Sequence, residues 1–202
     1  MTSFIYIDAS PLMKICKHII TLLLIFFSQS GQADFQSGGE AYKNGDYETA
    51  FNELLPLAET GDHRAMYAVG SMYAAGNGVE QDLAEAMKWF KEAAKYGRPD
   101  AHYKIGLMYE QGLGVEQNYR KALHWYGIAA KHGYGYAQYK IGLFYSTGQG
   151  VKQDLVKSYA WLVTSLGNGV KNANQLIIDI KQQLMPEELA EARALAGEFQ
   201  KY

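Results

Sequence analysis

Cysteine is almost missing from this chain: Cys16 is the only one in 202 residues, so neither a disulfide framework nor a thiolate metal cluster is open to it. Packing must hold the fold. An excess of one charge is missing too, since 19 basic residues stand against 21 acidic ones for a formal charge of -2. Such a balance gives no global field toward nucleic acid or anionic lipid and argues against nucleic-acid binding. The long apolar run, residues 19–27, falls well short of the roughly 20 residues a membrane span needs.

The usual catalytic signatures are also lacking. There is no H-E-x-x-H, no cysteine-histidine ligand spacing, no G-x-S-x-G and no S-x-x-K. His63, His102, His124 and His132 form no i, i+4 pair, which assigns His102 and His124 to packing or surface. Glu80, Glu85, Glu92, Glu110 and Glu116 show no evident partner and are read as solvated surface. No cofactor or metal site is expected, and the chain is read as a non-enzyme.

Residues 1–33 differ from the remainder. Lys14, Lys17 and His18 precede the apolar run, and a polar stretch ends it at Gly31-Gln32-Ala33. This is the charged, apolar and small-residue order of a secretory signal peptide, so cleavage after Ala33 and an exported, periplasmic or secreted product are expected, with no membrane insertion afterwards. Cys16 lies before the run, where it cannot serve as a lipoprotein cysteine. Met13 is an alternative start to Met1.

What is present is a repeat. Gly61, Gly97, Gly133 and Gly169 stand 36 residues apart, and the same shift superposes Gly70, Gly106 and Gly142; Val79, Val115 and Val151; and Trp89, Trp125 and Trp161. Each unit reads as two helices. Ala65, Val69, Met72 and Tyr73 make an apolar stripe on the first, and Ala86, Trp89, Phe90 and Ala93 one on the second. Between them lie GNGVEQD, GLGVEQN and GQGVKQD, whose glycines read as helix punctuation rather than a phosphate cradle, because no strand precedes them and no lysine-hydroxyl pair follows. Asp82, Asn118 and Asp154 are the expected N-caps of the second helices, Asp82 with Glu85 as a capping box. Valines 79, 115 and 151 are expected to plug gaps between helices. The mid-helix glycines are expected to admit a bulky ring from the second helix, a tryptophan or its neighbour.

The helix pairs MYAVGSMY with AMKWF and HYKIGLMY with ALHWY, the third first helix QYKIGLFY and the G-x-G-V linker closely resemble Sel-one-like repeats, relatives of the 34-residue tetratricopeptide unit. The resemblance implies an all-α fold, a right-handed α/α solenoid of antiparallel helix pairs. Its units run 62–97, 98–133 and 134–169, between a tetratricopeptide-like cap at 34–61 and closing helices at 170–202. The third unit departs from the pattern at Ser158, Leu162 and Thr164-Ser165-Leu166, and Met185 replaces the hydroxyl cap expected before Pro186.

By the same resemblance the groove is lined by the first helix of each unit. Its residues are Arg64, Tyr67, Ala68, Ser71 and Ala74; then Asp100, Tyr103, Lys104, Leu107 and Glu110; then Tyr136, Tyr139, Lys140, Leu143 and Ser146. The three tyrosines of one register are read either as packing between successive first helices or as contact residues. Lys104 and Lys140 read as an ammonium pair able to hold a peptide carboxylate. The expected function is a non-catalytic scaffold for an envelope protein or peptide. The alternatives are a module for peptidoglycan or exopolysaccharide and, behind it, a β-lactam or murein hydrolase, for which the chain lacks the cysteines of such relatives and an acylating nucleophile.

Overall fold

The computed structural model describes residues 34–200, so the leader assigned to 1–33 lies outside the described residues. Ten helices and no strand occur among the latter: α1 (Phe35–Lys43), α2 (Tyr47–Glu59), α3 (His63–Ala75), α4 (Leu83–Lys95), α5 (Pro99–Gln111), α6 (Tyr119–Lys131), α7 (Gly135–Thr147), α8 (Leu155–Gly167), α9 (Ala173–Lys181) and α10 (Pro186–Phe199). Helices pack in sequential pairs, and α9 and α10 both close on α8. The architecture is the all-α, right-handed solenoid of antiparallel pairs. Two 13-residue helices, a seven-residue loop and a three-residue turn account for the 36-residue period.

Each loop glycine has its own task. Gly76, Gly112 and Gly148 end α3, α5 and α7 in the left-handed conformation, at φ 73°, 71° and 76°. The second glycines press on the preceding unit: a Cβ on Gly114 would sit 2.7 Å from the Leu83 Cβ, and one on Gly150 2.7 Å from the Tyr119 Cβ. They also have positive φ, so an L side chain is excluded twice over. Gln81, Gln117 and Gln153 then donate back to the carbonyls of Ala74, Glu110 and Ser146 at 2.8, 2.9 and 2.7 Å. Every conspicuous loop residue is therefore spent on shaping the turn, and none is aimed at a phosphate.

Asp82, Asn118 and Asp154 cap α4, α6 and α8, accepting from the backbone N–H of Glu85, Lys121 and Lys157. The capping box is only half formed, a correction to the expected pattern. The Asp82 N–H donates to the Tyr73 carbonyl at 3.0 Å, and Glu85 turns instead to Lys88 at 3.1 Å.

The core lies between the two layers of helices. The side chain that meets each mid-helix glycine is the residue after the tryptophan: a Cβ on Gly70 would lie 3.0 Å from the Phe90 ring, on Gly106 2.6 Å from the Tyr126 ring, and on Gly142 2.6 Å from Leu162. Phe90, Tyr126 and Leu162 are fully buried, while the tryptophans stay half-buried. Val79, Val115 and Val151 are part-buried against the same cores.

The two serine departures in the third unit make contacts to bare backbone. Ser158 donates to the Gly142 carbonyl at 2.7 Å and Ser165 to the Gly135 carbonyl at 2.8 Å, both fully buried. At the C-terminal end, Pro186 opens α10 and the Glu188 carboxylate accepts the Met185 N–H at 2.9 Å, supplying the cap that Met185 cannot. Phe199 stacks on Trp161, with centroids 4.1 Å apart and planes at 20°, and this closes the solenoid over α8.

Candidate functional site

The first helices α3, α5 and α7 are joined along one face by side chains rather than by backbone. The Arg98 guanidinium, at the N-cap of α5, lies 5.0 Å from the Tyr67 ring of α3 and pairs with Asp100 at 2.5 Å. Toward the N-terminus the exposed Arg64 guanidinium lies over Phe35 at 4.6 Å and bridges Asp62 at 2.7 Å. That bridge, with the N–H bonds of α3, pulls the Asp62 carboxyl down to about 2.

The register tyrosines pack down onto their own second helix rather than simply between first helices. Tyr67 meets Phe90 at 5.6 Å and Tyr103 meets Tyr126 at 5.5 Å, while Tyr139 joins the core around Leu162. Burial, with the negative charge of Asp100 nearby, pushes the Tyr67 hydroxyl up to about 12; burial, with Tyr134 and Glu110, does the same for Tyr103. Tyr103 also touches the next unit, at 5.2 Å from Tyr134 and 6.3 Å from Tyr136. The outcome is a tyrosine platform over α5 and α7 whose outer member, Tyr136, is 54% exposed. Tyr134 was not singled out by pattern, because the same place in the earlier units holds Asp62 and Arg98.

The expected ammonium pair is not a pair. Lys140 donates to Glu110 Oε1 at 2.8 Å, Tyr126 donates to the other oxygen of the same carboxylate, and lysine and glutamate are only 21% and 18% exposed. Two expectations are corrected at once: Glu110 is not solvated surface, and Lys140 offers no open charge to a ligand. Lys104 differs, since no ion pair or hydrogen bond engages its ammonium among the described residues. It stands on the wall of an apolar cleft between α3 and α5, with Ser71, Ala74, Phe90, Leu107 and Leu113.

Two further groove residues, Ser71 and Ser146, have local partners. Ser71 donates to the Tyr67 carbonyl at 2.9 Å and also lines a second cleft with Phe35, Tyr42, Lys43 and Ala68. Ser146 donates to the Leu143 carbonyl at 2.8 Å. His102 is buried, with Nδ1 donating to the Arg98 carbonyl at 2.7 Å, which is a packing role. Among the described residues no group of three or more histidine, cysteine, aspartate or glutamate side chains could hold a metal, and no helix is long and apolar enough to cross a membrane. This face presents one open ammonium, apolar clefts and tyrosine edges.

Comparison with known proteins places this geometry. The Sel1 repeat model matches residues 63–97, 99–134 and 135–163. A Sel1 repeat protein from Oxalobacter formigenes superposes with a TM-score of 0.67 at 28% identity, over 73% of this chain and 59% of that one. The antigen c5321, a protective antigen present in uropathogenic Escherichia coli strains and displaying an SLR fold, superposes with a TM-score of 0.71 at 30% identity, over 81% of this chain and 37% of its own. A Rhizobium leguminosarum bv. viciae protein described as an exopolysaccharide production negative regulator is 43% identical over 70 residues, 34% of this chain and 26% of that relative. In each case the match spans less than two thirds of the relative's length.

Proposed function

The chain belongs to the Sel1 repeat family, and from that premise we propose that it is a non-catalytic scaffold that binds a protein or peptide segment on the face of α3, α5 and α7. The observation that carries this reading is the contrast between two lysines of one register. Lys140 is paired with Glu110 inside the fold, whereas the Lys104 ammonium stands without an anion beside an apolar cleft. An unpaired ammonium next to apolar surface suits a segment that brings both a carboxylate and apolar side chains. Export belongs to the same proposal, on the leader-like composition of residues 1–33, and makes the partner an envelope protein.

The experiment is photo-crosslinking in intact cells from Leu107, on the cleft wall, with Glu92 of α4, outside the cleft lining, as control. A protein adduct at Leu107 that is absent at Glu92 supports the scaffold. Equal adducts at both positions overturn it. Fractionation with intact-mass measurement tests export, which predicts a processed chain beginning at Asp34.

A second reading, a module for peptidoglycan or exopolysaccharide, draws support from the Tyr103, Tyr134 and Tyr136 platform, whose rings could stack on sugar faces. The relative described as an exopolysaccharide production negative regulator fits that reading as well. Glycan adducts at Leu107 or Tyr136 would favour it over a protein partner.

A further inference from the structure

The cleft beside Lys104 and the ion pair at Lys140 are the same place in successive units. Shifting Glu110, Tyr126 and Lys140 back by one 36-residue period gives Ala74, Phe90 and Lys104. In the later unit the glutamate carboxylate fills the space, held by Lys140 at 2.8 Å and by the Tyr126 hydroxyl. In the earlier unit Ala74 has no carboxylate and Phe90 no hydroxyl, and all three equivalents line an open cleft. Position 68, one period before Lys104, is alanine, so this lysine without its carboxylate occurs once in the array.

Resting on the scaffold reading, we propose that a glutamate side chain of the partner enters this cleft and takes the place that Glu110 takes in the following unit, pairing with Lys104 while an adjacent aliphatic side chain covers Leu107 and Leu113. The molecule carries its own template for the contact. A carboxylate reaches a lysine of this register from the α3 side of α5 just as Glu110 does from the α5 side of α7. Charge complementarity selects an acid, since Lys104 has no competing anion: Asp100, on the same helix, is held by Arg98, and Glu110, six residues on, is held by Lys140 and Tyr126. The lining selects a side chain rather than a nucleotide or glycan, because Lys104 is its one charged group, Ser71 already donates to the Tyr67 carbonyl, and Gln111 is the one other polar side chain. Leu113, 38% exposed, supplies the apolar surface that a flanking aliphatic residue would cover.

The test is fluorescence anisotropy of the purified chain against amidated, fluorescein-labelled twelve-residue peptides. The probe peptide has one central glutamate flanked by leucines, and its partners carry glutamine or lysine in that position. Binding of the glutamate peptide, at least tenfold weaker binding of the glutamine peptide, and the same loss in Lys104→Glu are expected, with the lysine peptide recovering affinity for Lys104→Glu. Lys91→Glu on the exposed face of α4 should bind as the parent does. Equal affinity for the glutamate and glutamine peptides, or an unchanged affinity in Lys104→Glu, overturns the assignment. If the probe still crosslinks at Leu107 in those cases, the scaffold stands and only the Lys104 contact falls. If no peptide binds and Leu107 gives no protein adduct in cells, both readings fall.

Discussion

Lys140 Nζ lies 2.8 Å from Glu110 Oε1, tying α7 to α5 across a sequence separation of 30 residues. Because Tyr126 of α6 donates to the same carboxylate, one glutamate joins three helices. Both partners of the ion pair are largely out of water, so removing Glu110 strands the lysine and removing Lys140 leaves the carboxylate with only the Tyr126 hydroxyl. Lys140→Met and Glu110→Leu are each expected to cost about 1–3 kcal/mol in urea denaturation, and the double variant less than their sum. Strictly additive losses would mean that the pair contributes nothing as a pair.

The mid-helix glycines should differ in their response to alanine, since glycine itself is about 1 kcal/mol worse in a helix. Gly106→Ala drives a Cβ to 2.6 Å from Tyr126, a fully buried ring that is also fixed at its hydroxyl. It is expected to lose about 1–3 kcal/mol, the usual cost of overpacking. Gly70→Ala meets Phe90 at 3.0 Å, a ring with no hydroxyl anchor, and should lose less. Gly127→Ala, with nothing within 4 Å of its new Cβ, should raise the melting temperature. Calorimetry of the three variants checks the order, and a stabilised Gly106→Ala would refute the packing account.

The repeat, the loops and the caps were legible because three nearly identical copies expose them. A glycine that recurs at a helix end, followed by an aspartate or asparagine, has one physical explanation, and the structure bears it out at Gly76 with Asp82 and at Gly148 with Asp154. What stayed hidden depended on differences between copies. Lys104 and Lys140 look equivalent in register, and only the residue thirty places upstream, alanine in one case and glutamate in the other, separates an open charge from a closed one. The half-formed capping box was hidden for a similar reason: the Asp82 N–H is claimed by Tyr73, a contact between helices that local pattern does not register.

Stability should fall on the alkaline side in a defined window. Burial raises Tyr67 and Tyr103 from the usual value near 10 to about 12, so between those values the unfolded chain releases protons that the folded chain keeps. Stability from these two groups is therefore intact below pH 10 and is lost as pH rises toward 12. Urea midpoints at pH 9, 10.5 and 11.5 should decline, more gently in Tyr103→Phe than in the parent. Absorbance at 295 nm should show late-titrating tyrosines in the folded chain and none in urea. An unchanged slope in Tyr103→Phe would deny that tyrosine its part.

The sharpest prediction uses the repeat against itself. Ala74→Glu places a carboxylate in α3 at the register of Glu110, facing Lys104 across the cleft as Glu110 faces Lys140. The new pair should close the cleft and silence binding with the lysine still in place, lowering affinity for the glutamate peptide at least tenfold. Phe90 has no hydroxyl to donate to the new carboxylate, so the added contact lacks the support Tyr126 gives, and the gain in stability should stay below about 1 kcal/mol. Adding Phe90→Tyr should strengthen it, although Gly70 then faces a ring held at both ends, as Gly106 does. Lowered affinity with unchanged or raised stability would show that an internal glutamate and an external one compete for the same ammonium. Full affinity in Ala74→Glu would place the partner's acid elsewhere, because two carboxylates cannot both be satisfied by one lysine in an apolar wall.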